Sequence, residues 1–287
     1  MQILLISGIS GSGKSVALNV LEDAGYYCVD NLPPSLLPEL IKTLSLEEHT
    51  NTAIAIDSRS AHLLSNLPQT LQVLRDQGHD VRVLFLTAST DSLVARFSET
   101  RRSHPLSHRL AMELASNVDL SLVECIEEER EILAGIQNLA HVIDTTDLRA
   151  NQLRSWVKAV VQIQRSPLTL MFESFAFKRG VPLDADLVFD VRMIPNPHYD
   201  PFLRPLTGRD QPVMRFLDNQ EMAQDMYKDI ETFITKWLPA FKQDNRSYVT
   251  VAIGCTGGQH RSVYMVEKLT KHFQKTEQVL IRHRRLQ

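Results

Sequence analysis

The sequence predicts an α/β fold in which an N-terminal parallel-sheet domain is followed by a smaller C-terminal α/β domain. Three observations carry this. Short apolar runs alternate with amphipathic stretches through the first half, the β-α-β-α rhythm of parallel strands covered by helices on both faces. Ser166-Pro167 then follows a helical pattern, and a proline there stops the helix and marks a boundary. Beyond it, Pro182, Pro195, Pro197, Pro201, Pro205 and Pro212 punctuate a stretch of loops and short strands. A chain of 287 residues accommodates two medium domains, here 1–165 and 168–287.

In chain order, Gln2–Ser7 reads as a buried strand and Ser15–Ala24 as the helix after it. Tyr26–Val29, Thr52–Ile56, Val81–Leu86 and His141–Asp144 follow as strands, with helices at Asp91–Arg101 and the Glu-rich Leu110–Ala134. Leu148–Gln164 closes the domain, with Trp156 and its valines on one side. In the second half the strands are Leu187–Val191 and Tyr248–Ile253, and the helices Glu221–Phe241 and Ser262–Gln274. A hydrophobic fraction of 43% supplies an ample core, and a net charge of −3 excludes a protein that is basic overall. Any nucleic-acid contact must therefore use a local patch. Cys28, Cys125 and Cys255 are too few and too scattered for a disulfide framework and suit a reducing compartment. No apolar run is long enough to span a bilayer, and no leader pattern opens the chain. The expectation is a cytoplasmic protein without membrane contact.

The chemistry begins at the first turn. Gly8, Ile9, Ser10, Gly11, Ser12, Gly13, Lys14 and Ser15 match G-x-x-x-x-G-K-[ST], between an apolar strand and a helix. Glycines let backbone N–H groups turn inward around phosphates, Lys14 supplies a charge to the β- and γ-phosphates, and Ser15 offers a hydroxyl to Mg²⁺. The helix adds the positive end of its dipole. This is the pattern of a nucleoside triphosphate site. Asp57, after the strand Ala53–Ile56, is a candidate partner for Mg²⁺ and equally an ordinary strand-end turn residue. Asp30 is its rival, and Arg96, Arg101 and Arg102 stand where kinases of this kind carry lid arginines. The guanine signature Asn-Lys-x-Asp is absent, so ATP and GTP both remain open.

A second strand–loop–helix pattern lies near the end, IGCTGGQHRS, residues 253–262. Thr256, Gly257 and Gly258 expose backbone N–H groups, and Arg261 can grip a phosphate with two donors. His260 adds a donor when protonated. The C-x5-R-S spacing also allows Cys255 to be a phosphatase nucleophile. Gly254, however, stands where tyrosine phosphatases carry an orienting histidine, so the expectation settles on an anion-holding loop with Cys255 as packing. Asn196, His198 and Asp200 in a proline-stiffened loop are candidates to face the same site. Val279–Gln287, with Arg282, His283, Arg284 and Arg285, reads as a cationic tail: a solvated chain end or a contact for RNA phosphates and unpaired bases.

The blocks SGISGSGKSVALNVLEDAGYYCVDNLP, RRSHPLS, FESFAFKRGVP, FDVRMIPNPHYDP, LRPLTG and NRSYVTVAIGCTGGQHRSVY resemble the RapZ/YvcJ family of bacterial nucleotide-binding proteins, from Met1 to about His283. The resemblance implies a P-loop kinase-like first domain that binds ATP and GTP with at most weak hydrolysis. It places the ATP loop at Gly8–Ser15 and a GTP-binding segment at Asp57, Ser58, Arg59 and Ser60. It implies a second domain like a phosphofructokinase subdomain, with a phosphosugar pocket at His198, Thr256, Gly257, His260 and Arg261. It further implies an RNase adapter: a homo-oligomer, tetramer or trimer, that binds a small regulatory RNA and presents it to an endoribonuclease, adjusting glucosamine-6-phosphate synthesis. One departure is that the chain ends at Arg285-Leu286-Gln287, without the longer basic tail of the enterobacterial members.

Overall fold

A computed structural model describes residues 1–58, 64, 66–107, 121–162, 168–243 and 248–286. The chain divides into two compact units, Met1–Gln162 and Ile163–Gln287.

The first unit is a five-stranded sheet of β1 (Gln2–Gly8), β2 (Tyr27–Val29), β3 (Asn51–Ala55), β4 (Asp80–Thr87) and β5 (His141–Asp144). The order is β2-β3-β1-β4-β5 and every pairing is parallel. Side chains alternate across a strand, and β1 buries both faces: Ile3 and Leu5 enter one core cluster, Leu4 and Ile6 the other. Helices α1 (Lys14–Asp23), α2 (Leu37–Leu46), α3 (Leu67–Asp76), α4 (Thr90–Thr100), α5 (Leu122–Gln137) and α6 (Ala150–Gln162) lie between and after the strands. Ala17, Leu18, Leu153 and Val157 of α1 and α6 meet Leu4 and Ile6, and Leu71, Leu74, Ile126 and Leu133 of α3 and α5 meet Ile3 and Leu5. The five expected strands are present. Helices α2 and α3 were not among the expected elements. Each carries a proline in its first turn, Pro38 and Pro68, where the missing N–H has no partner to lose. Residues 110–120 of the expected Glu-rich helix and 163–164 of the expected closing helix lie outside the described residues.

The second unit is a four-stranded sheet of β6 (Thr169–Ala176), β7 (Leu187–Asp190), β8 (Tyr248–Cys255) and β9 (Gln278–His283), all parallel in the order β7-β8-β6-β9. Helices α7 (Gln211–Asp218), α8 (Glu221–Gln243) and α9 (Arg261–Phe273) accompany it. Two strands, β6 and β9, are additions to the expected set. All eight residues of β6 are buried, as for a strand with neighbours on both sides and covered faces. Among the described residues no helix is long and apolar enough to cross a membrane.

Candidate functional sites at two strand–loop–helix turns

In a parallel sheet every strand ends on the same edge, and ligands bind in the loops there. The loop Gly8–Ser15 leaves the central strand β1 and enters α1. Gly8, Gly11 and Gly13 all have positive φ (141°, 84° and 111°), backbone that only glycine adopts freely. Lys14 reaches back along the loop and donates from Nζ to the Gly8 carbonyl at 2.5 Å. Asp57 follows β3, the neighbour of β1, and is half-buried. With its amide turned to satisfy both groups, Asn31 donates to the two Asp57 oxygens at 3.0 and 3.2 Å. The rival Asp30 is exposed. A serine hydroxyl and a carboxylate are the hard oxygen donors Mg²⁺ takes, so Ser15 and Asp57 fit that ion in kind. Among the described residues no cluster of three or more His, Cys, Asp or Glu could hold a metal alone, and Mg²⁺ beside phosphates needs none. Arg59 and Ser60 lie outside the described residues.

Arg96, expected as a lid residue, is instead committed to the frame of the loop. It donates to the Gly11 carbonyl at 3.1 Å and to the Thr145 carbonyl at 2.6 Å. Thr145 in turn donates to the Ser12 carbonyl at 3.0 Å, tying the end of β5 to the loop. Arg101 and Arg102 are exposed.

Glu129 on α5 is the residue that sequence reading passed over. It is fully buried, yet its carboxylate touches the heart of the loop. Oε2 accepts from the Ser10 N–H at 2.7 Å, while Oε1 accepts from the Ser10 hydroxyl at 2.8 Å and the Ser58 hydroxyl at 2.7 Å. His104, from RRSHPLS, stands 3.2 Å from Oε2 through Nε2, and the Leu106 N–H donates to its Nδ1. Because Nδ1 accepts, the ring proton belongs on Nε2, facing Glu129. Burial pushes the Glu129 carboxyl up, but the His104 contact, the Lys14 charge and the Ser10 and Ser58 bonds outweigh it and hold the group below its usual value. One anion thus fixes three separate segments: the phosphate loop, the start of the Asp57–Ser60 stretch and the 104–106 turn.

In the second unit the same edge forms a cavity of about 610 Å³. All four strands deliver residues to it: Lys178 after β6, His198 after β7, Cys255–Arg261 after β8 and Arg285 after β9. His198, Thr256, Gly257, His260 and Arg261, the expected anion site, all line this one cavity, with Asn196 beside them. Asp200 is not in its lining. Lys178, Tyr199, Thr207 and Arg285 were missed as members. The sequence offered only their blocks, FAFKRG, NPHYD and LRPLTG, without a spacing rule to bring them together.

The cations here are held differently from one another. Arg261 is 5% exposed; its Nη1 donates to the carbonyls of Arg192 at 2.6 Å and Ile194 at 3.1 Å, and Nη2 lies 3.4 Å from Thr256 Oγ1. Its Nε is buried with no hydrogen-bond partner. His260 contacts the Leu203 carbonyl through Nε2 at 3.2 Å, and burial lowers its pKa from the usual value. His198 is exposed, its ring centroid 6.3 Å from that of His260.

The basic tail is corrected. Residues Gln278–His283 are strand β9, paired with β6, and the arginines point into a charge cluster. Arg282 is 4% exposed and lies 3.7 Å from Asp184, while Arg284 donates to Glu173 at 3.0 Å and is equally near Asp184. His283 bridges Ser174, at 2.7 Å, and Glu267, at 3.1 Å. Burying guanidinium groups requires such partners, so Arg282, His283 and Arg284 are held in ion pairs and not on a solvated tail. Arg285 alone of the four is exposed.

A parallel sheet whose central strand runs into G-x-x-x-x-G-K-S defines a P-loop protein. The chain belongs to the RapZ family: the RapZ-like N-terminal domain matches residues 1–165 and the RapZ C-terminal domain residues 168–287. A nucleotide-binding protein of Herminiimonas arsenicoxydans is 65% identical over 287 residues, covering 100% of both chains. One of Paraburkholderia phymatum is 59% identical over 284 residues, 99% of this chain and 95% of that one. Among solved structures, a shikimate kinase from Bacteroides thetaiotaomicron is similar over 56% of this chain and 94% of its own, with 17% identity and a TM-score of 0.34. A likeness that loose bears on no functional question.

Proposed function

We propose that the protein is a nucleotide-binding regulator that senses a phosphorylated metabolite, with ATP or GTP on Gly8–Ser15 and a phosphorylated amino sugar such as glucosamine-6-phosphate in the C-terminal cavity. The observation that carries this is Arg261: a buried guanidinium at the N-terminus of α9 that lines one cavity with Lys178, His260 and Arg285. The names of the relatives support the nucleotide half. Mg²⁺ would be held by Ser15, Asp57 and the phosphates themselves, neutralising phosphate charge.

A small regulatory RNA belongs to the same reading, on a surface relocated from Arg282–Arg284. Lys178, Tyr199 and Arg285 share the cavity rim, and Tyr199 and Phe202 are 84% and 86% exposed. Exposed aromatics beside cations stack unpaired bases and hold the backbone between them. An endoribonuclease partner and a tetrameric or trimeric homo-oligomer complete the adapter role. Calorimetric titration tests the two small-ligand sites. ATP or GTP should bind with Mg²⁺ and lose about tenfold or more in affinity in Lys14→Ala, the size of a lost charge-assisted contact. Sulfate and glucosamine-6-phosphate should compete for one site that Arg261→Ala abolishes. Independent binding of the two, or retention in Arg261→Ala, would remove the sensing half.

A further inference from the structure

Cys255 has more than packing around it. It ends β8 and lines the cavity, 3% exposed, and the Gly258 N–H donates to its Sγ at 3.2 Å. Ser262 Oγ lies 3.1 Å from the same sulfur. The sulfur thus meets a backbone N–H and a hydroxyl at the N-terminal end of α9. Arg261, six positions on, is anchored by Nη1 to the Arg192 and Ile194 carbonyls, which leaves its Nε without a partner and Nη2 with only the long Thr256 contact. Arg261, which lines the cavity, is the guanidinium there that can take oxygens of a tetrahedral anion. Sulfur, its two hydrogen-bonding neighbours and Arg261 therefore sit on the single turn from β8 into α9, with Cys255 and Arg261 lining one cavity.

We propose that this loop also performs phosphoryl transfer, with Cys255 as nucleophile toward phosphomonoesters that carry good leaving groups, aryl or acyl phosphates. The proposal rests on the cavity being a phosphate site. The thiol proton leaves to solvent. Sγ attacks phosphorus, the S–P bond forms and the P–O bond breaks, its electron pair departing on the leaving oxygen, which takes a proton from water at the cavity mouth. A second water then attacks phosphorus, the S–P electron pair returns to sulfur, and inorganic phosphate is released with the proton of that water lost to solvent. Arg261 and the N–H groups of the loop hold the non-bridging oxygens through both steps.

Two features set the substrate class. Residue 254 cannot be the histidine that orients a thiolate elsewhere, because a Cβ there would stand 2.4 Å from the rings of Phe175 and Phe177. No carboxyl group lines the cavity among the described residues, so a proton for a departing alkoxide would have to come from its histidines, of which only His198 is exposed. An aryl or acyl phosphate, whose leaving group needs no such proton, is therefore the better substrate and turns over slowly.

The full chain incubated with p-nitrophenyl phosphate tests this. Slow hydrolysis is expected, falling about 1,000-fold or more in Cys255→Ser and about 100-fold in Arg261→Lys. Mass spectrometry of rapidly quenched protein should place one phosphoryl group on the Cys255 peptide. Sulfate binding without turnover by the wild type overturns the nucleophile and leaves the anion site standing. Neither binding nor turnover overturns both. Turnover that survives Cys255→Ser also overturns it. If that variant does not fold, iodoacetate on the wild type decides: inactivation slowed by sulfate supports Cys255, and full activity after its alkylation overturns it.

Discussion

Gly8 and Glu129 show how single residues set the nucleotide loop. At Gly8 a Cβ would stand 2.1 Å from the Leu86 carbonyl oxygen, on backbone at φ +141°. Neither the side-chain-free geometry nor the strand pairing leaves room, so Gly8→Ala should cost about 3 kcal/mol, read from urea unfolding. A variant as stable as the wild type would show that the loop is not held in this conformation. Glu129 carries a pH signature. Its carboxyl lies below the usual value in the folded state, so its contribution is complete above the unfolded value near pH 4.3 and is lost as pH falls through the folded one. Glu129→Gln should be about 3 kcal/mol less stable at neutral pH, the scale of a broken buried charge network. Its stability should also fall less steeply than the wild type's below pH 5. Parallel acid profiles for the two proteins would remove Glu129 from that role.

At the scale of elements, β9 carries ion pairs beside its ladder, at Arg282 within the strand and at Arg284 just after it. Arg284→Met would leave the fully buried Glu173 without its 3.0 Å partner, at about 3–5 kcal/mol. Arg285→Ala, one residue on and exposed, should leave the unfolding midpoint unchanged within error. Equal effects would mean that β9 does not carry its arginines inward. These pairs also explain what could be read in advance. The loop Gly8–Ser15 and the turn Gly254–Arg261 were legible because motif, strand and helix are contiguous in the chain. Strand β9 was not, because three apolar residues followed by arginines look like a solvated end until Glu173, 111 residues from Arg284, is folded against them. Glu129 was hidden for the same reason: its partners Ser10, Ser58 and His104 lie 119, 71 and 25 residues away. A buried charge is chosen by tertiary partners, and local pattern carries no record of them.

At the scale of the whole molecule, each strand–loop–helix turn belongs to one unit, Gly8–Ser15 to the first and Gly254–Arg261 to the second. The C-terminal cavity takes a residue from the loop beyond every strand of its sheet, and all of them fall within residues 168–287. Its core is likewise internal: Phe172 on β6, Val251 and Ile253 on β8, Ile230 and Ile234 on α8 and Tyr264 and Leu269 on α9 belong to one buried cluster. Burying residues of this size contributes about 1.5–3 kcal/mol each before chain entropy is counted, enough for a unit of this length to fold alone. Fragment 168–287, expressed without the first unit, should therefore unfold cooperatively and bind sulfate within about threefold of the full chain, as independent sites do. Lys14→Ala in the full chain should leave that sulfate affinity equally untouched. Calorimetry on the three proteins distinguishes the cases. A folded fragment that no longer binds sulfate would mean that the cavity is completed from outside its own sheet, and a change in Lys14→Ala alone would mean that the nucleotide loop and the anion loop are coupled.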